Sequence, residues 1–129
     1  MLGNAEKMPF PKDSFDIITY VDVIEFLDAE KTLSEASRVV KKGGLVYVEN
    51  FNKIVHNLPF VKTSKHYRTN TNFRFISLAK QNRFRILKFG SVLVQPKLSF
   101  AKQLFYSIIS ISILKKLFSP VSYFYLKKL

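Results

Sequence analysis

Two short apolar runs rich in β-branched residues, Phe15 to Tyr20 and Leu45 to Val48, flank a stretch whose apolar residues recur at helical spacing. Runs of this kind read as buried strands. Between them Leu33, Ala36, Val39 and Val40 mark one face of a helix running to about Lys42, and Asp28 is placed to cap it. Lys41 and Lys42 stand at its end, where cations suit the helix dipole. Gly43 and Gly44 are read as its left-handed cap and the turn into the second run. Alternation of strand, helix and strand restricts the chain to an α/β architecture.

The remainder extends that alternation. Gly3 to Pro11 is a loop in which Pro9 and Pro11 block regular structure, and Lys12-Asp13-Ser14 is a turn. Asp22 to Leu27 reads as a short helical turn. Residues 50–72 form a polar, basic connection. Thr71 or Asn72 caps a second helix through Gln81, with Phe73, Ile76, Leu78 and Ala79 as packing residues. Arg85 to Val94 is a strand with Ile86, Lys88, Gly90, Val92 and Val94 on one face and Leu87, Phe89 and Leu93 among the alternates. Leu98 to Phe118 is an apolar helix closed by Pro120, and Val121 to Leu126 is a last strand closed by Lys127-Lys128. A chain of 129 residues is at most one domain. It divides into a strand–helix–strand part over 1–50, a basic region with helix and strand over 51–97, and an apolar basic helix with the final strand over 98–129.

Cysteine is absent, which excludes disulfides and thiolate metal sites, and only His56 and His66 offer imidazole, so no metal is expected. The start lacks an apolar signal region, and the uncharged run Gln103 to Leu114 spans 12 residues, short of the ~20 a membrane-spanning helix needs. A cytoplasmic protein with peripheral membrane contact is the expectation. Charge is unevenly placed: all nine acidic residues lie at or before Glu49, and fifteen of the 21 basic residues follow residue 50 with no acid among them. Such asymmetry points to an anionic partner: a nucleic acid, an anionic membrane surface or an acidic protein.

The run Gly3-Asn4-Ala5-Glu6-Lys7-Met8-Pro9-Phe10-Pro11, then Ser14-Phe15-Asp16-Ile17-Ile18, then Arg38-Val39-Val40-Lys41-Lys42-Gly43-Gly44-Leu45-Val46-Tyr47-Val48 resembles the second half of a class I S-adenosylmethionine (SAM) dependent methyltransferase, in its small-molecule and lipid-quinone branch. The resemblance implies a partial Rossmann-like fold with strands equivalent to 4-5-7-6 of the family sheet, the last antiparallel, and helices on both faces. It also implies that Phe15–Tyr20 needs a neighbour, supplied by a missing N-terminal half, a second copy or another chain, since a bare apolar edge is a pairing liability. The family's glycine-rich cofactor loop has no counterpart, because Gly3, Gly43, Gly44 and Gly90 form no Gly-x-Gly pattern.

In such enzymes the loop matching Asn4, Ala5 and Glu6 lies against the adenine of SAM, with an acid commoner at the place of Asn4. Asp16 would order the Asp13-Ser14 turn. Tyr20 falls at the carboxyl end of its strand, where open α/β sheets bind ligands. With Asp22 and Glu25 it would border the methionine part of SAM and the acceptor. Glu49 and Asn50 end the next strand, and His56, His66, Tyr67 and Arg68 lie in the connection where relatives carry acceptor-specific elements. Methyl transfer needs alignment more than side-chain acid–base chemistry, so no catalytic residue is assigned. The resemblance thus implies a truncated or split methyltransferase acting on a small-molecule or lipid-like acceptor. The alternative is an inactive remnant serving as a basic binding module for an anionic membrane, a partner subunit or, less favoured, nucleic acid. The helix over 98–118, flanked by lysines, suits either packing under the last strands or lying on an anionic bilayer.

Overall fold

The computed structural model describes residues 3–57, 68–92, 119 and 121–129. Four strands, β1 (Phe15–Tyr20), β2 (Val40–Phe51), β3 (Phe84–Val92) and β4 (Val121–Lys128), form one sheet in the order β1-β2-β4-β3. β1 runs parallel to β2, and β4 runs antiparallel to both β2 and β3. This is the 4-5-7-6 order that the resemblance implies. The helices are α1 (Ala29–Val39), the single turn α2 (Lys53–His56) and α3 (Asn72–Gln81). The expected helix over 98–118 lies outside the described residues.

Asp28 caps α1 by accepting the N–H groups of Glu30 and Lys31, a contribution of about 1 kcal/mol. α1 buries Leu33, Ala36 and Val39 completely. α3 starts at Thr71, whose hydroxyl accepts the Arg74 N–H. Both helices contribute to one core with Val46 and Val48 of β2 and Phe124 and Leu126 of β4. Phe124 lies at its centre, with ring centroids 4.7 Å from Phe75 and 4.9 Å from Phe89. At those separations aromatic pairs add to the effect of buried area alone.

Four local expectations are corrected. α1 stops at Val39, and Val40 is already extended (ψ 138°). Lys41 to Gly44 form an irregular insert in β2, where pairing jumps from Phe15 opposite Val40 to Ile17 opposite Leu45. Gly43, at φ 80°, serves that insert and not a helix cap. In α3 the buried aromatic is Phe75, while Phe73 is 60% exposed. In β3 a register shift at Leu87 breaks the alternation, so Ile86 and Phe89 both reach the core. Asp16 pairs with Lys41 Nζ at 2.9 Å instead of ordering the preceding turn. That turn is held by Ser14 Oγ donating to the Pro11 carbonyl and by Lys128 Nζ, 2.8 Å from Asp13.

Candidate functional site

The loop before β1 is fixed by a small set of polar contacts. Asn4 Oδ1 accepts the Glu6 N–H at 2.8 Å, and the Asn4 carbonyl accepts the Lys7 N–H. Asn and Asp favour such turns because the side chain substitutes for a backbone acceptor. Glu6 Oε1 accepts the Asp28 N–H at 2.7 Å, which ties this turn to the start of α1. Further along, Glu35 Oε1 accepts the Met8 N–H, and Arg38 donates to the carbonyls of Met8 and Phe10 and to both oxygens of Glu35. Arg38 holds the Glu35 carboxyl below the ordinary carboxylate range. Asn4 is left exposed at the turn, and Ala5 and Glu6 are half-buried.

The second part of the site is the carboxyl ends of β1 and β2. Asp22 takes a left-handed conformation (φ 50°) just after β1, and a single 3₁₀ turn over Ile24–Phe26 follows. Glu25 on this turn is 3% exposed, and its Oε2 has no hydrogen-bond partner. Its carboxyl is raised above the ordinary carboxylate value by burial, with the charges of Asp22 and Glu49 acting the same way. Glu49 accepts a hydrogen bond from the Tyr47 hydroxyl at 2.6 Å. Burial and this carboxylate both raise the Tyr47 pKa. Asp22, Glu25 and Glu49 therefore share one end of the sheet.

Tyr20 and Asn50 face the other way. Tyr20 is buried in the core, its unpartnered hydroxyl pushed up to about 12 by burial and by Glu35. Asn50 Nδ2 donates to Asn72 Oδ1 and to the Asn70 carbonyl, and Asn72 Nδ2 donates to Ser122. This buried network fastens the end of β2 to the start of α3 and to β4. The side chain of His56, and the whole of His66 and Tyr67, lie outside the described residues. Arg68 donates its backbone N–H to the Glu25 carbonyl. Among the described residues no group of three acids or histidines is placed to hold a metal ion.

Residues 1–48 match the methyltransferase domain family. Over 56 residues the chain is 39% identical to the ubiquinone/menaquinone biosynthesis C-methyltransferase of Pseudoalteromonas translucida, covering 43% of this chain and 22% of that relative. The fold superposes on the [4+2]-cyclase SpnF with a TM-score of 0.68 at 15% identity, covering 99% of this chain and 54% of that one. The described fold is a class I methyltransferase-like domain. It superposes as well on geranyl diphosphate C-methyltransferase from Streptomyces coelicolor, with a TM-score of 0.65 at 16% identity, covering 100% of this chain and 52% of that one. The methyltransferase-like chain thus spans about half the length of these solved structures. The role of Arg38 as a clamp on the loop was readable only as part of a family turn. No spacing rule connects it to Met8 and Phe10, some thirty residues earlier.

Proposed function

We propose that this chain is the C-terminal portion of a SAM-dependent methyltransferase that acts on a small-molecule or lipid-like acceptor. The observation that carries the reading is the pinned Asn4–Glu6 turn beside the start of α1, in the matched segment. The turn fits the adenine end of SAM: Asn4 is exposed and its carboxamide can still donate and accept, while Glu6 is committed to Asp28. Asn4 and the Ala5 backbone would hold the adenine. When bound, SAM supplies an activated methyl group on a sulfonium. The chain's own part is to place the acceptor at the carboxyl ends of β1 and β2 and to keep water from that end, as ligands bind at this end of open α/β sheets. Likeness to a relative named for quinone biosynthesis supports a lipid-like acceptor.

Calorimetric titration of SAM into the purified chain tests this. Saturable binding that Asn4→Ala weakens is expected. No binding by folded protein would overturn it. A second reading, an inactive remnant acting as a basic binding module on an anionic surface, is favoured by the fifteen basic residues after residue 50 with no acid among them. It predicts salt-sensitive co-sedimentation with phosphatidylglycerol vesicles and no SAM binding. No helix among the described residues is long and apolar enough to cross a membrane. Cytoplasmic placement with peripheral membrane contact is part of the proposal.

A further inference from the structure

A cavity of about 170 Å³ is lined by Leu27, Asp28, Ala29 and Glu30 at the start of α1 and by a second segment that includes Arg68, Arg74 and Leu78. It is smaller than the ~300–1,000 Å³ of sites for drug-sized ligands, and suits something of amino-acid size. Both segments are held in place. Glu6 and the Asp28 cap fix the first. On the second, the Arg68 N–H goes to the Glu25 carbonyl, the Asn70 carbonyl accepts the Lys53 N–H and Asn50 Nδ2, and the Thr71 hydroxyl starts α3. Ala29 and Leu78, 4% and 6% exposed, give the cavity an apolar part.

Charge is divided between the two segments: Asp28 and Glu30 on one, Arg68 and Arg74 on the other. Among the described residues no ion pair joins them, and neither guanidinium takes part in another. Asp28 Oδ1 accepts both cap bonds, which leaves Oδ2 without one among the described residues. Glu30 has an ordinary use in the first turn of α1, where the helix dipole favours an acid. Arg74 has no such use. It lies in the first turn of α3, where the dipole disfavours a cation and no acid stands beside it. Free guanidiniums at a cavity call for an anion, and the acids on the opposite segment call for a cation. A zwitterion meets both.

We propose that this cavity binds a small apolar α-amino acid, its carboxylate on Arg68 and Arg74, its ammonium on Asp28 and Glu30, and its side chain against Ala29 and Leu78. Guanidinium groups suit this carboxylate because they donate two parallel hydrogen bonds to it. The proposal does not rest on the transferase reading. Its titrations are run without SAM, so either can fail alone.

L-Leucine is titrated calorimetrically into the full chain, with 3-methylbutylammonium and 4-methylpentanoate as counterparts that each keep one charge. Saturable binding of leucine is expected, with each counterpart weaker by about tenfold or more. Arg74→Gln should weaken leucine by about tenfold while its urea midpoint stays level or rises, since the cation opposes the helix dipole. Glu30→Gln should weaken leucine and tighten 4-methylpentanoate. If Arg74→Gln fails to fold by circular dichroism, the equally exposed Arg68→Gln decides. No saturable leucine binding, a counterpart that binds as tightly as leucine, unchanged binding in the folded variants, or a loss of binding that only accompanies a fall in urea midpoint would each overturn the proposal.

Discussion

Glu6 Oε1 accepts the backbone N–H of Asp28 at 2.7 Å, and Asp28 in turn accepts the N–H groups of Glu30 and Lys31. One carboxylate thus braces the residue that caps α1, and couples the candidate cofactor turn to the helix. Glu6→Ala should cost about 1.5–3 kcal/mol in urea denaturation, the range for a hydrogen bond to a charged group. Glu6→Gln, which keeps an acceptor oxygen, should recover most of that loss.

Arg38 and Glu35 set a pH response. The folded-state carboxyl of Glu35 lies below its ordinary value of 4.5, chiefly through its hydrogen bonds with Arg38. Its contribution to stability is therefore fully present above the unfolded pKa and is lost as pH falls through the folded one. Urea midpoints followed downward from pH 7 should drop with acid in the wild type and drop less in Glu35→Gln. Arg38→Lys, which lacks the planar fork that serves both oxygens of Glu35 and two carbonyls, should lose part of the same slope.

Glu25 has the opposite sign. Burial raises its folded-state pKa above 4.5, so the folded form binds its proton more tightly than the unfolded form does. Stability then falls as pH rises from the unfolded pKa toward the folded one. Glu25→Gln should be more stable than the wild type at pH 8, read as a higher urea midpoint. The difference should shrink at pH 4.

Gly90 pairs with Tyr123 across β3 and β4, and a Cβ built there would come within 2.4 Å of the hydroxyl end of the Tyr123 side chain. Gly90→Ala should destabilise by about 1–3 kcal/mol, as overpacking does. Adding Tyr123→Ala should give back part of the loss, read as a coupling term in a double-mutant cycle. Simple additivity of the two changes would show that the ring does not rest on Gly90.

The parts legible in the sequence were those settled by local chemistry. Asp28 and Thr71 cap the helices as expected, because a side-chain oxygen before an apolar period has few other uses. The parts that were not legible depend on distant partners. Val40 is compatible with a helix end, and it is the pairing with Phe15 of β1, with Lys128 Nζ donating to the Val40 carbonyl, that makes it strand. Phe73 and Phe75 are locally equivalent, and contact with Phe124 chooses Phe75. In the site, parity within the strands carried an unused signal. Tyr20 shares its face with Ile18, and Asn50 with Val46 and Val48, which turns both toward the core and leaves Glu49 facing the other way. The loop clamp by Arg38 had no such signal.

The strand order β1-β2-β4-β3 has a kinetic consequence. β4 is made last of the four yet lies between β2 and β3, and each of those strands uses it as a partner. During synthesis β2 and β3 must wait, with unpaired edges, until Val121–Lys128 has emerged. Pairing at such long sequence separation is slow, and waiting edges are exposed to wrong partners. Lys128, clamped on Asp13 and on the Val40 carbonyl, is then a latch that closes only when the strand has inserted in register.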